Sequence, residues 1–291
     1  MDKKYKLNLT SQRDEEPEKK VLYVVGTPIG NLNDISLRAK NILKNVSLIA
    51  CEDTRVTRKL LNYLKIKNKL FSFYEHNSQS KITKILDLLK EGNSIALVSD
   101  AGMPTISDPG ENLISQARKN NIDVICVPGP FAGLNALISS GLSTSSFSFY
   151  GFLPNQKKAR LKLLDDISKN QGTSIIYESP RRIKSLVQEL INVCGKDRKI
   201  SISKELTKKY EHHFSGNLRD MYSVFKDIEL KGEYTIILDG QKDEIIKVTN
   251  KDLIEDLNAL IDAGLTHSSA SHYLSNKYKI PKNKIYNLLL E

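Results

Sequence analysis

The segment Ser99-Asp100-Ala101-Gly102-Met103-Pro104-Thr105-Ile106-Ser107-Asp108-Pro109-Gly110 packs two carboxylates, two glycines and two prolines into one loop. Directly before it, Ile95–Val98 form a short apolar run that reads as a buried strand. In an open α/β sheet, ligands bind beyond the carboxyl ends of the strands, so this loop is placed for small-molecule chemistry. Gly102 and Gly110 permit positive φ or close backbone approach, whereas Pro104 and Pro109 stiffen the loop. Asp100 and Asp108 accept hydrogen bonds from amines or hydroxyls. Three further segments follow strand-like runs in the same way: Val25-Gly26-Thr27-Pro28-Ile29-Gly30-Asn31-Leu32, Glu52-Asp53-Thr54-Arg55 and Pro128-Gly129-Pro130. The first is neither GxGxxG nor a Gly-Lys-Ser/Thr loop, which disfavours dinucleotide and triphosphate binding. Four such loops at four strand ends describe a cleft. Taken singly, Asp53 and Arg55 also read as a helix cap and a salt bridge.

The elements that must position these loops alternate. Strand patterns fall at Val21–Val25 and at residues 47–51, 70–73, 95–98 and 124–127. Between them lie helical patterns carrying Ile35, Ala39, Ile42 and Leu43, then residues 54–64, then Ile82, Ile85, Leu86 and Leu89, then residues 113–118. Alternation of this kind predicts parallel βαβ units with a sheet covered on both faces. The second half has strands at residues 147–151, 173–177, 199–203 and 234–238, and helices at 161–167, 183–193 and 218–225. Residues 208–216 allow a further strand or an irregular hairpin. The Ser/Thr-rich stretch 141–146 marks a boundary between an N-terminal α/β domain (21–143) and a second α/β domain (144–240). Residues 241–291 form a helical extension: Leu253, Leu257, Leu260 and Ile261 share one face, Gly264 ends that helix, and Thr266 caps a second with Ala270, Tyr273 and Leu274. Pro281 opens a third with Ile285, Leu288 and Leu289. These helices suit a cap or dimerisation element, or a helix-turn-helix contact with nucleic acid through Lys277, Lys279, Lys282 and Lys284.

At 291 residues the chain is long enough for two domains and an appendage, and 40% apolar content excludes a disordered protein. No apolar stretch approaches the roughly 18–20 residues that span a bilayer. Residues 1–20 mix lysines with acids, lack the core of a signal peptide and read as a flexible tail. The three cysteines, Cys51, Cys126 and Cys194, are too dispersed for a disulfide framework and read as small core residues. The five histidines have no partners at ligand spacing, so no metal site is expected. A net charge of +10 favours a polyanionic partner. The basic residues recur in local groups, Arg55/Arg58/Lys59, Lys157/Lys158/Arg160/Lys162, Arg181/Arg182/Lys184 and Lys208/Lys209, as nucleic-acid contact would require.

The motifs Thr-Pro-Ile-Gly-Asn-Leu (27–32), Glu-Asp-Thr-Arg (52–55), Ser-Asp-Ala-Gly-Met-Pro (99–104) and Glu-Ser-Pro (178–180) occur in fixed order, with further segments at 128–130, 151–154, 205–208 and 232–233. In this order and spacing the chain resembles the ribosomal RNA small subunit methyltransferase I family, from about residue 21 to 240. The resemblance implies a two-domain, tetrapyrrole-methylase-like α/β fold, class III of the S-adenosylmethionine (SAM) methyltransferases. It implies a cytoplasmic homodimer that methylates a cytidine ribose 2′-hydroxyl in the decoding region of 16S rRNA, in the 30S subunit. By family placement SAM lies against Pro28, Asp100, Gly102, Met103, Pro104, Thr105, Ser107, Pro128, Gly129, Phe131, Phe152, Tyr177, Leu206, Tyr234, Thr235 and Ile236. The acids in family motifs, Glu52, Asp53, Glu178 and Glu205, are candidates for taking the hydroxyl proton, and Lys204 is a candidate for aiding the hydroxyl directly. Arg55, Arg58, Arg181 and Lys208 are the candidates for rRNA phosphates. The chain departs from the family pattern at Met103, where Thr is common, Phe131 (Ser), Gly26 (Ala) and Arg181 (His). Two other functions compete: a methyltransferase of this fold acting on a porphyrinoid or other small acceptor, and a non-catalytic RNA-binding assembly factor. The basic loops favour RNA, and the intact cleft loops favour catalysis.

Overall fold

The computed structural model describes residues 15–74, 78–226, 230–242, 249–278 and 280–289; the first fourteen residues of the tail expected over residues 1–20, and Lys279, lie outside them. Val21–Val25 (β1) is buried along its whole length, as a strand covered on both faces must be. It sits inside a five-stranded sheet with Leu48–Cys51 (β2), Leu70–Ser72 (β3), Ile95–Val98 (β4) and Asp123–Val127 (β5), in the order β3-β2-β4-β1-β5. Every pairing is parallel.

Leu37–Asn45 (α1) and Thr54–Tyr63 (α2) cover one face, packing Ala39, Ile42, Leu43 and Leu61 on Tyr23, Val25 and Ile49. Ile35 belongs to this core but precedes α1, whose cap Ser36 accepts from the Ala39 N–H at 3.0 Å. Ser78–Lys90 (α3) and Glu111–Lys119 (α4) cover the other face through Ile82, Ile85, Leu89 and Leu113. Cys51 is buried and Cys194 half-buried. Cys126, expected in the core, is exposed because β5 is an edge strand with a single neighbour.

The second sheet contains Phe147–Phe152 (β6), Thr173–Glu178 (β7), Lys199–Lys204 (β8), His212–Asn217 (β9) and Tyr234–Leu238 (β10), in the order β6-β7-β10-β8-β9. Only β6 and β7 are parallel; β10 runs antiparallel to both β7 and β8, and β9 antiparallel to β8. Parallel βαβ units, expected for the first half of the chain, are found there, and the second sheet is of a different, mostly antiparallel kind. The loop from β8 to β9 is too short for the crossover that a parallel pair needs. β9 settles the open reading of residues 208–216 as a strand. Lys157–Lys169 (α6), Ile183–Cys194 (α7) and Leu218–Lys226 (α8) bury Leu164, Ile167, Leu186, Leu190, Met221 and Phe225 on one face of this sheet. The other face receives Ala132–Ser139 (α5), a helix absent from the sequence reading, whose Ala136 and Leu137 pack on Ile175 and Ile237.

Residues 1–241 form one compact unit and residues 242–291 another. The latter contains Asn250–Asp262 (α9), His267–Tyr278 (α10) and Lys282–Tyr286 (α11) around Leu253, Leu257, Ala270, Leu274 and Ile285. Thr249 and Asp252 form a reciprocal capping box on α9. The Thr266 hydroxyl accepts from the Ser269 N–H at 3.2 Å, as its expected capping role requires. Tyr273, expected on the apolar face of α10, is exposed instead. Among the described residues no helix is long and apolar enough to cross a membrane.

Candidate active site

Beyond the carboxyl ends of β1, β2, β4 and β5 lies a cavity of about 490 Å³. Ile29, Glu52, Asp100 and Phe131 reach it from the four loops that follow those strands. The second sheet supplies the opposite wall: Phe152 at the end of β6, Tyr177 and Glu178 at the end of β7, and Tyr234 and Thr235 at the start of β10. Tyr234 pairs with Glu178 in register, so the antiparallel course of β10 brings its first residues beside the last of β7.

The loops are stitched to one another by backbone contacts. Thr27 N–H donates to the Gly102 carbonyl at 2.8 Å, and Gly102 N–H donates back at 3.1 Å. Gly26 and Gly129 face each other so closely that a Cβ on Gly26 would meet Gly129 Cα, and the Met103 Sδ, at 2.6 Å. Thr105 and Ser107 hold φ of +74° and +69°, a left-handed conformation unusual for residues with side chains. Gly102 and Gly110 take positive φ, one of the two uses the sequence left open for them.

Three carboxylates share this region. Burial pushes the Glu52 carboxyl above its ordinary range, and the charges of Asp100 and Asp108 add to the effect. Burial likewise raises Asp100, which accepts the Asp53 N–H at 3.0 Å, and Asp108, against a hydrogen bond from Ser99. Across the cavity, Phe131, Phe149, Tyr177 and Phe152 form a chain of edge-to-face rings with centroids 5.2, 5.1 and 5.5 Å apart. The Tyr177 hydroxyl accepts the Gly133 N–H at 3.1 Å, and burial drives its pKa up to about 12. The first wall therefore carries three carboxylates and Phe131, while the second carries Phe152, Tyr177 and Tyr234 beside Glu178 and Glu233.

The structure brings together Glu52, Asp100, Gly102, Met103, Ser107, Phe131, Phe152, Tyr177, Glu178, Tyr234 and Thr235 from the expected set. Pro28, Pro104, Thr105, Pro128 and Gly129 shape the loops without appearing in the cavity wall. Leu206 and Ile236 lie in the apolar cores. The wall also includes Ala101, Ile106, Asp108, Ala132, Ser179, Pro180, Gly232 and Glu233, none of them in the expected set. All but Ala132 lie inside the motifs or the loop 99–110; which of their members turn inward is a matter of backbone course that no spacing reveals.

Several candidate groups are engaged elsewhere. Asp53 caps α2 and holds Arg55 in an ion pair at 2.6 Å, which lowers its carboxyl to about 2. Glu178, 2% exposed, meets Arg160 Nη2 and Arg182 Nε at 3.4 Å and accepts the Ser179 N–H at 2.8 Å. Glu205 Oε1 accepts from the Glu233 N–H at 2.9 Å and from Lys208 Nζ at 3.0 Å. Burial pushes Glu205 upward, but these donors outweigh it and hold the carboxyl below its usual range. Lys208 bridges Glu205 and Glu233, and Lys204 stays outside the cavity wall. Arg55, Arg58 and Arg181 are exposed.

Residues 21–222 match the family model of the tetrapyrrole (corrin/porphyrin) methylases. The chain belongs to this family. Within it, the chain is 43% identical over 281 residues, 95% of its length, to a Halalkalibacterium halodurans protein named ribosomal RNA small subunit methyltransferase I, covering 96% of that protein. A Bacillus subtilis protein of the same name is 39% identical, with 91% of this chain and 92% of that one covered. A Thermotoga maritima protein so named is 45% identical and matched over 99% of its own length, but over only 76% of this chain. Among solved structures, a cobalt precorrin-4 methyltransferase shares the fold with a TM-score of 0.58 at 16% identity, over 76% of this chain and 95% of that one. A Thermus thermophilus uroporphyrin-III-C-methyltransferase does so with a TM-score of 0.54 at 15% identity, over 75% and 94%. The family's two-sheet fold, expected from the motifs, is the fold observed.

Proposed function

We propose that this chain, as a cytoplasmic homodimer, transfers a methyl group from SAM to the ribose 2′-hydroxyl of a cytidine in the decoding region of 16S rRNA within the 30S subunit. The observation that carries the reading is the composition of the cavity: Glu52, Asp100 and Asp108 come together at the loops of the first sheet, and Phe131, Phe152 and Tyr177 belong to one chain of edge-to-face rings that lines it. Such a cavity suits a ligand that is cationic at one end and flat and apolar at the other. Asp100 and its neighbours would hold the ammonium and sulfonium end, and Phe131, Phe152 and Tyr177 the adenine. The acceptor class is supported by the names of the relatives and by the exposed basic residues beside the cleft.

SAM supplies a methyl group on a positively charged sulfur. Glu52 is assigned the proton of the attacking hydroxyl, because Asp53, Glu178 and Glu205 are committed to capping, ion pairing and loop fastening. With SAM bound, Glu52 would take the proton of the hydroxyl that accepts the methyl group, and Asp100 would hold the cationic end of the donor in place. A carboxyl held above its ordinary range is a better proton acceptor than an exposed one. Arg55 and Arg58 on α2, and Arg181, are assigned to rRNA phosphates, which position the strand without reading its bases. Lys208, already bound to two carboxylates, is assigned to fastening the Gly232-Glu233 turn.

Incubation with labelled SAM and 30S subunits lacking the modification, followed by nucleoside mass analysis, tests this. Label on a cytidine ribose is expected, with kcat of Glu52→Gln reduced by about 10²–10⁴ and its SAM affinity reduced far less. Label on a base, or none in the rRNA, would overturn the reading.

A further inference from the structure

A second cavity, of about 440 Å³, opens beyond the end of β3 against α3 and the start of α4. Its size falls in the usual ligand range of about 300–1,000 Å³. Phe73 and Ile82 give it an apolar floor, and Asp108, Asn112 and Ser115 give it polar walls. Asp108 is the one residue that the described walls of the two cavities share. The side chain most able to orient a hydroxyl between them therefore stands at their boundary.

The residues next to Phe73 and Ile82 along β3 and α3 have a different chemistry from the interior of the cavity. Lys81 Nζ lies 4.4 Å from the centre of the Tyr74 ring and 5.8 Å from that of Phe71, and Lys84 Nζ lies 5.3 Å from the Phe71 centre. Phe71 and Tyr74 flank the floor residue Phe73, and Lys81 precedes the floor residue Ile82. Ammonium groups interleaved with aromatic rings are how single-stranded nucleic acid is held: phosphates against the charge, bases against the rings. Asp108 and Glu111 make the interior hostile to phosphate but suitable for the hydroxyls and amino groups of a nucleoside.

We propose that this second cavity receives the acceptor nucleotide of a single-stranded RNA segment. Its flanking phosphates run along Lys81 and Lys84, and Asp108 presents the ribose hydroxyl to the methyl donor in the first cavity. The proposal rests on the function proposed above, and it adds a site that includes none of the four basic residues assigned there.

Fluorescence anisotropy with a labelled, cytidine-containing single-stranded RNA tests the site, with SAM affinity measured in parallel by calorimetry. Ser115→Phe, which fills the cavity from the exposed side of α4, is expected to weaken RNA binding about tenfold while SAM affinity stays within about twofold. The double variant Lys81→Ala/Lys84→Ala is expected to weaken it about as much and to lower the salt dependence of binding. Should Ser115→Phe not fold, the lysine variant alone decides. RNA affinity equal to wild type in the lysine variant overturns the proposal, as does an unchanged affinity in a folded Ser115→Phe. Methyl transfer is read separately: its absence in the wild type would remove the proposed function, while the RNA titrations would still decide the subsite.

Discussion

Glu52, Asp100 and Asp108 show how residue-scale physics turns a loop into a binding wall. Each carboxyl lies above its ordinary range chiefly because of burial. A raised folded-state pKa means that the folded protein holds these protons more tightly than the unfolded chain does. The ionised carboxylates therefore cost stability at neutral pH, and that cost disappears as pH falls through the raised values. A cationic ligand binds the ionised form and reverses the balance. SAM affinity is accordingly expected to rise with pH from the ordinary carboxylate range near about pH 4 upward, with protons released on binding. Calorimetry in buffers of different ionisation enthalpy measures that release. Asp100→Asn should weaken SAM binding by about tenfold or more and flatten its pH dependence, with little effect on RNA affinity. At this scale Asp100 was legible from its loop. The engagement of Glu178 was not, because Arg160 and Arg182 reach it from different elements.

At the scale of elements, the cavity depends on how closely the β1, β4 and β5 loops approach. The close contact at Gly26 involves two positions where the chain departs from the family pattern, Gly26 itself and Met103. A methyl at position 26 would collide with both the Met103 sulfur and the Gly129 backbone. Gly26→Ala is therefore expected to destabilise the protein by about 1–3 kcal/mol, the usual cost of overpacking, read as a lower urea midpoint. Because Gly102 and Met103 line the cavity, SAM affinity should fall as well. The sequence shows both departures but not that they touch, since 76 residues separate them along the chain. The elements themselves were largely readable: β1 and β4 are continuous apolar runs, and α1, α3 and α7 carry apolar faces at helical spacing. Helix α5 was not, because its short, apolar sequence, flanked by Pro128, Pro130 and Ser140, lacks a polar face to give it a period.

For the whole molecule, every described residue of both cavities falls within residues 1–241, whereas residues 242–291 bury a core of their own. A relative matched over nearly its full length covers only 76% of this chain. A chain ending at Gln241 is therefore expected to unfold cooperatively and to bind SAM with the affinity of the full protein, as thermal melts and calorimetry would show. The sequence by itself determined the parallel first sheet, the loops beyond its strands, the family and the basic character of the surface. The family follows from the resemblance carried by the motifs, and the rest from apolar periodicity, Gly/Pro placement and charge, all of which are local. Only the tertiary structure decided that the second sheet is mostly antiparallel, that β10 inserts between β7 and β8, and that Asp108 stands between two cavities. Each of these depends on which distant strands and loops become neighbours, and a linear pattern carries the preference of each segment but not its partner.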